Sequence, residues 1–145
     1  MKHLYIILFV LPLIGFGQGW ETTFGGIEDD QGYSVQQTSD EGYIITGRTT
    51  SFENGSFDIY LIKTNENGDS LWTKTFGGID LEVGYSVQQT LDGGYVITGQ
   101  TGSLKSLDFD VYLIKTDENG DSLWTKTFGG TSVDFGNSVQ QTLDG

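Results

Sequence analysis

The chain has 145 residues, of which 22 are glycine, only one is proline and 13% are aromatic, a composition typical of β structure with many tight turns. A helical bundle is therefore a poor expectation. The formal charge of −13 disfavours nucleic acid and anionic lipid as partners.

The first residues have the layout of a secretory signal peptide. A short basic start at 1–3 precedes an apolar run at 4–16, and small residues before Gln18 predict cleavage there. A retained membrane anchor is the weaker alternative, because the run is shorter than the roughly 20 residues of a spanning helix and contains Pro12. A buried N-terminal strand is a further alternative. We predict a signal peptide at 1–17 and export by the Sec route to the medium or the cell surface.

The rest of the chain repeats itself every 52 residues. Segments 58–78 and 110–130 differ at only two positions, and the string SVQQT recurs at 34–38, 86–90 and 138–142. A period of this length is typical of a propeller, a solenoid or another array of supersecondary units.

Four strand-like segments, bounded by turn signals, make up one period. In the second copy they are predicted at 85–90, 95–101, 110–116 and 122–128. The sequences LDGG and DENGD are tight-turn signals, so the first two strands and the last two strands should pair as antiparallel hairpins. Apolar runs without a polar break predict sheets that are covered on both faces, as propeller blades are. On the fourth strand, Trp124 and Phe128 should pack between adjacent copies.

We therefore predict an all-β fold of four-stranded antiparallel blades in an incomplete β-propeller with 52-residue repeats. An open β-solenoid is the alternative. The partial propeller should occupy 18–145, with a strand of the closing blade at 20–24, a blade at 33–76, a blade at 85–128 and the start of the next blade at 137–145. Residues 20–24 match a fourth strand, which indicates that they complete the final blade of a longer protein.

The repeated motifs resemble SBBP-type β-propeller repeats of exported bacterial proteins. The matching segments are WTKTFGG at 72–78 and 124–130, DGGYVITG at 92–99 and DEGYIITG at 40–47. The resemblance implies a Bacteroidetes-like, type IX secretion substrate, of which this chain is expected to be an N-terminal piece lacking the sorting domain. Kelch repeats are a more distant likeness, since their double glycine follows strand two, where this sequence has only Gly47 or Gly99.

Few residues are suited to catalysis or cofactor binding. The chain has no cysteine and His3 is its only histidine, so the mature protein has neither a zinc ligand set nor a Ser-His or Cys-His nucleophile pair. We predict no catalytic and no cofactor-binding residue.

Calcium is the one metal considered, with Asp117, Asn119 and Asp121 of the DENGD turn as candidate ligands. A hairpin turn explains the same residues better, because the spacing of an EF-hand is missing. Acidic residues after the double glycines shift in position between the copies, which favours solvated loops. They are Asp29, Asp30, Asp80, Glu82 and Asp134.

These features predict a non-enzymatic secreted or cell-surface scaffold for binding or display. Its ligand, an unknown protein or glycan, should contact the loops at 50–57, 79–84, 102–109 and 131–136, which vary while the strands repeat. The alternative is the non-catalytic portion of an exported carbohydrate-active enzyme whose active site lies elsewhere. We expect no nucleic-acid partner and no membrane span after signal cleavage. Uncovered sheet faces and edges should make the isolated chain self-associate.

Overall fold

The computed structural model describes residues 19–52, 56–103 and 108–144, with Ser103 described by its backbone alone. The predicted signal peptide at 1–17 lies outside these ranges. The described residues form eight strands and no helix, which confirms the all-β class, and none of them forms a helix long and apolar enough to cross a membrane. The strands are β1 (Asp30–Gln37), β2 (Tyr43–Thr49), β3 (Asp58–Thr64), β4 (Ser70–Phe76), β5 (Leu81–Gln89), β6 (Tyr95–Ser103), β7 (Asp108–Thr116) and β8 (Ser122–Phe128).

The strands form two antiparallel four-stranded sheets, β1-β2-β3-β4 and β5-β6-β7-β8, each in chain order. Residues 52 apart take corresponding places in the two sheets: Ile45 pairs with Ile62 in the first sheet, and Ile97 pairs with Ile114 in the second. The predicted hairpins are therefore confirmed.

The first strand of each sheet begins earlier than predicted. β1 begins at Asp30 instead of residue 33, and β5 begins at Leu81 instead of residue 85. A bulge shifts the register between Gly32 and Ser34, and another between Gly84 and Ser86, so pairing continues past the glycine that marks a boundary in the sequence. β6 and β7 also extend two residues further into the loop that separates them.

The second sheet lies against the first through β5, which contacts β1, β2 and β3. The buried apolar cluster between the sheets consists of Ile44, Ile59, Leu61, Val87, Tyr95, Ile97 and Ile114. Trp72 of β4 packs edge-on against Tyr95, with 5.8 Å between ring centroids, and covers Gly120. The role predicted for Trp124 and Phe128 is thus performed by their counterparts in β4.

Two terminal segments lie on the sheets without forming strands. Trp20 packs against Tyr43, with 5.6 Å between ring centroids, and covers Gly68. Trp72 makes the same two contacts 52 residues later, with Tyr95 and Gly120. The segment 137–144 runs along the second sheet, where the Gln141 N–H donates to Gln88 Oε1 at 2.5 Å. Both segments have the neighbours expected of the predicted strands at 20–24 and 137–145. They lack strand pairing, because no strand lies beside them in the described ranges.

The two glutamines of SVQQT form hydrogen bonds that join the two sheets. Gln36 Oε1 accepts the N–H of Gln89 at 2.7 Å, and Gln89 Oε1 accepts the N–H of Ser39 at 2.8 Å. The same exchange recurs one repeat later, because the Gln141 side chain accepts the N–H of Leu91 at 2.8 Å. The recurrence of SVQQT is therefore structural.

Replacing Gln36 with alanine is expected to lower the free energy of unfolding by about 1 kcal/mol, since the Gln89 N–H loses its acceptor between the sheets. The matched control is Gln140→Ala, which changes the same position of the third SVQQT. The Gln140 side chain is exposed and forms no hydrogen bond to the described residues, so its removal should change the free energy by less than about 0.5 kcal/mol. Urea unfolding followed by tryptophan fluorescence measures both, and equal losses would contradict the role of Gln36.

Candidate functional site

The four predicted ligand loops lie at one end of the sheets. Because antiparallel strands alternate in direction, the connections after β2, β4, β6 and β8 all leave at this end, which we call the loop end. The tight turns at 38–42, 65–69, 90–94 and 117–121 lie at the opposite end, the turn end. Within the predicted loops, 53–55 and 104–107 lie outside the described residues.

Parts of these loops belong to the sheets instead. Residues 81–84, predicted as loop, are the buried start of β5. Residues 102–103 end β6 and residues 108–109 begin β7. In the segment 131–136, the Asp134 N–H donates to Phe109 O at 2.6 Å and the Gly136 N–H donates to Gly99 O at 3.1 Å. The loops that remain free for a ligand are therefore shorter than predicted.

The acids after the double glycines correct a second prediction. Asp30, Glu82 and Asp134 are spaced by 52, so their positions do not shift. Only 5% of Glu82 is exposed, and its carboxylate accepts the Thr101 hydroxyl at 2.7 Å and the Gly78 N–H at 3.2 Å. Asp30 and Glu82 each hold the preceding double glycine against the end of the second strand of their sheet, since Asp30 likewise accepts the Gly26 N–H and the Thr49 hydroxyl. The expectation of solvated loops applies only to their exposed neighbours.

The two best-defined acids of this set differ in electrostatics. Burial raises the pKa of the Glu82 carboxyl, although hydrogen bonds from Thr101 and Gly78 oppose the shift. Burial would also raise the pKa of the Asp30 carboxyl, but hydrogen bonds from Thr49, Gly26 and Ser51 outweigh this effect, so the pKa is lowered. Glu82 is the second residue of β5, the strand of the second sheet that packs against the first sheet, whereas Asp30 begins β1 and is only partly buried. Both carboxylates are committed to structural hydrogen bonds.

The calcium candidates form a turn and an ion pair at the turn end. Asp117 Oδ1 accepts the N–H of Asn119 at 2.9 Å and the N–H of Asp121 at 2.8 Å. Asp121 Oδ1 pairs with Lys74 Nζ of the first sheet at 2.6 Å. Across the described ranges, no three His, Cys, Asp or Glu side chains are grouped so that they could hold a metal ion. Calcium binding stays a prediction, and these contacts do not favour it.

A buried lysine at the turn end was missed in the sequence. Lys63 Nζ donates to Asp40 Oδ2 at 2.8 Å and to the backbone carbonyl of Thr64 at 2.8 Å. Hydrogen bonds from Lys63 and Thr38 lower the pKa of Asp40 to about 2. Asp92 repeats this arrangement, and hydrogen bonds from Thr90 and Lys115 lower its pKa to about 2. The signal was the recurrence of T-x-D and of the lysine at the same spacing.

The described residues of the loop end expose large apolar side chains. Ile27 and Ile79, which follow the double glycines 52 residues apart, are 94% and 91% exposed. Arg48, the only arginine of the chain, lies 3.9 Å above the Phe57 ring and pairs with Asp29 at 3.3 Å. This surface is suited to contacting a ligand.

The first sheet also carries a cavity of about 260 Å³ on the face turned away from the second sheet. Phe24, Gly32, Ile45 and Tyr60 are among its lining residues. The residue that corresponds to Ile45 in the second sheet, Ile97, is fully buried by the first sheet. The cavity therefore marks a sheet face that is only partly covered.

No protein-family model matches this sequence, and no curated protein is significantly similar to it. The function is therefore inferred from the geometry of the loop end and from the repetition of the strands.

Proposed function

We propose that this chain belongs to a secreted or cell-surface β-propeller of the SBBP-repeat type, which serves as a non-enzymatic scaffold for binding or display. Each four-stranded sheet is one blade of 52 residues in this proposal, and the ligand contacts the loop end. The observation that carries it is the gathering of the sequence-variable loops at one end of sheets whose registers repeat residue for residue.

The side chains support binding rather than catalysis. Carboxylates with shifted pKa values, the usual mark of catalytic acids and bases, are here held by Thr101, Gly78 or Lys63 in structural contacts. Among the described residues, the most exposed apolar side chains at the loop end are Ile27 and Ile79. With a formal charge of −13, the surface favours neutral glycans or proteins without strong negative charge. The signal-peptide layout at 1–17 supports export.

The proposal is tested by incubating the labelled chain on an array of neutral glycans and glycoproteins. The double variant Ile27→Ser/Ile79→Ser should weaken binding by about tenfold, because it removes the two most exposed apolar side chains that the structure describes at the loop end. The matched control is Leu91→Ser, since Leu91 is 82% exposed at the turn end. Absence of binding, or an equal loss in the control, would contradict the proposal. Release of soluble sugar from the array would favour the carbohydrate-active alternative.

A further inference from the structure

The first sheet differs in chemistry from the second sheet at one cross-strand pair. The exceptions to the repetition along β1, β2, β3 and β4 are Gln31 and Arg48, whose counterparts 52 residues later are Val83 and Gln100. The other differences along these strands exchange Asp for Glu or Ile for Val. Gln31 pairs with Arg48 across β1 and β2, and Val83 pairs with Gln100 across β5 and β6. The two exceptions are therefore neighbours in the structure.

Asp29, which directly precedes β1, lies in contact with both members of this pair. Asp29 Oδ2 accepts an Arg48 N–H at 3.3 Å and an N–H of the Gln31 side-chain amide at 3.3 Å. The counterpart of Asp29 in the second sheet is Leu81, which is buried. We call Asp29, Gln31 and Arg48 the polar triad. Since the second sheet forms the same strands without any of these three side chains, the fold does not require the triad.

The polar triad lies on the face of the first sheet that is turned to the second sheet. Gln31 lies opposite Arg48, and Arg48 lies opposite Ile59. Side chains opposite each other point to the same face, and Ile59 belongs to the buried cluster between the sheets. Phe57, whose ring lies 3.9 Å from the Arg48 guanidinium, accepts the N–H of Glu82 at its carbonyl at 2.7 Å. The triad therefore keeps exposed side chains although the sheet on its side is in place.

The polar triad has hydrogen-bonding capacity that its own contacts leave unused. Asp29 accepts contacts of 3.3 to 3.4 Å, which are longer than the usual range of N–H···O bonds. The Arg48 guanidinium has several N–H donors, and its Nε is buried without an acceptor among the described residues. The Tyr33 hydroxyl donates to Gln31 Oε1 at 2.7 Å and so orients the amide. A carboxylate, an amide and a guanidinium are therefore held side by side with capacity for further hydrogen bonds.

Neighbouring hydroxyl groups of a sugar match this set of side chains. A hydroxyl can donate to a carboxylate and accept from a guanidinium at the same time, so two adjacent hydroxyls can bridge Asp29 and Arg48. A carboxylate or phosphate on the ligand would face Asp29, and like charges at close range are unfavourable. Ile27, two residues before Asp29, adds an exposed apolar contact for the C–H groups of a sugar ring. The triad therefore favours a neutral sugar.

We propose that the polar triad forms a subsite for one neutral sugar unit, bound through two adjacent hydroxyl groups at the loop end of the first sheet. The inference deepens the proposed function and rests on it, since it assigns neutral glycans as the ligand of the scaffold. In the bound state Asp29 accepts hydrogen bonds from the sugar hydroxyls, while Arg48 and Gln31 donate to them. The counterparts of the triad in the second sheet include neither a carboxylate nor a guanidinium, so that sheet has no equivalent of this subsite.

Exchange of each triad residue for its counterpart in the second sheet provides the test. The variants Asp29→Leu, Gln31→Val and Arg48→Gln install side chains that the chain already accommodates at the same strand positions. The probe is an array of neutral hexose oligosaccharides, on which the labelled 145-residue chain is titrated. Asp29→Leu and Arg48→Gln should each weaken binding by about tenfold or more, because each removes a charged hydrogen-bonding group. Gln31→Val should weaken it by about fivefold, because the amide is neutral.

The matched control is Ser39→Leu, which also exchanges an exposed polar residue for its second-sheet counterpart, Leu91, but at the turn end. This variant should bind the neutral oligosaccharides like the wild-type chain. Near-ultraviolet circular dichroism verifies that every variant is folded. The array also carries oligosaccharides of uronic acids, which the wild-type chain should bind more weakly than the neutral ones.

The failure of this subsite is distinguishable from the failure of the proposed function. Triad variants that bind like the wild-type chain, while Ile27→Ser/Ile79→Ser binds more weakly, would overturn the subsite and leave the scaffold function standing. Binding to glycoproteins without binding to any neutral oligosaccharide would do the same. Tighter binding of uronic acids would overturn the assignment to a neutral sugar, because Arg48 would then recognise a carboxylate. Absence of all binding would overturn both proposals.

Discussion

Replacing Gly99 with alanine is expected to lower the free energy of unfolding by about 3 kcal/mol or more, one of the largest effects of any single substitution in this chain. Gly99 pairs with Gly84 across β5 and β6, next to the bulge between Gly84 and Ser86. A Cβ at residue 99 would collide with the backbone carbonyl of Val83 and would lie 3.0 Å from the Gly84 Cα. Because these are backbone atoms, the collision can be removed only if β5 and β6 move apart and lose their pairing. Urea unfolding measures the change.

The matched control for Gly99→Ala is Gly78→Ala. A Cβ at residue 78 meets no atom within 4 Å, and the backbone there does not have the positive φ that favours glycine. The control should therefore change the free energy of unfolding by less than about 0.5 kcal/mol. Comparable losses in the two variants would show that the close approach at the bulge does not decide stability.

The same crowding explains why the segment I-T-G recurs. Gly47 occupies the corresponding place in the first sheet, and a Cβ there would collide with the backbone carbonyl of Gln31. In the sequence, these glycines are only part of a repeated motif. Their steric reason depends on the bulge in the neighbouring strand, which the sequence of one strand does not reveal.

Turn chemistry was the most predictable part of the fold. Asn65 and Asp117 stand at the same turn position, and the side-chain Oδ1 of each accepts the N–H groups two and four residues later. Gly68 and Gly120 then take positive φ of 80° and 78°. Because both the acceptor and the glycine are local requirements, the hairpins were readable from the sequence.

The buried acids were the least predictable part. A run of acidic residues in a loop is normally solvated, and the partners of Glu82 are the Gly78 N–H four residues earlier and the Thr101 hydroxyl of the neighbouring strand β6. Neither partner has a sequence signature of its own. The period of 52 was the available signal, since a carboxylate recurs five residues after the first glycine of each pair at 30, 82 and 134. Neighbouring acids at 29 and 80 obscured it.

Burial of a repeated residue depends on what lies beside its sheet, as the two copies of SLWTKTF show. Trp72 and Trp124 have identical neighbours in sequence and the same place in their strands. Only Trp72 is covered, because Tyr95 of β6 and Gly120 of the turn at 117–121 lie against it. Sequence identifies both as packing residues, but it does not say which of them has a partner.

Trp72→Ala is expected to lower the free energy of unfolding by about 3 kcal/mol, at the lower end of the range for tryptophan because the side chain is only partly buried. The substitution removes the ring that packs on Tyr95 and covers Gly120, so it opens a gap between the two sheets. Unfolding in urea at a protein concentration low enough to keep the chain monomeric measures this effect.

Trp124→Ala provides the control with the same residue, the same strand position and the same flanking sequence. In the monomer it should change the free energy of unfolding by less than about 0.5 kcal/mol, because no sheet lies on the Trp124 ring. Equal losses from the two substitutions would mean that the tryptophan acts within its own sheet and not by joining sheets. A loss confined to Trp72→Ala would show that this tryptophan stabilises the fold by joining the two sheets.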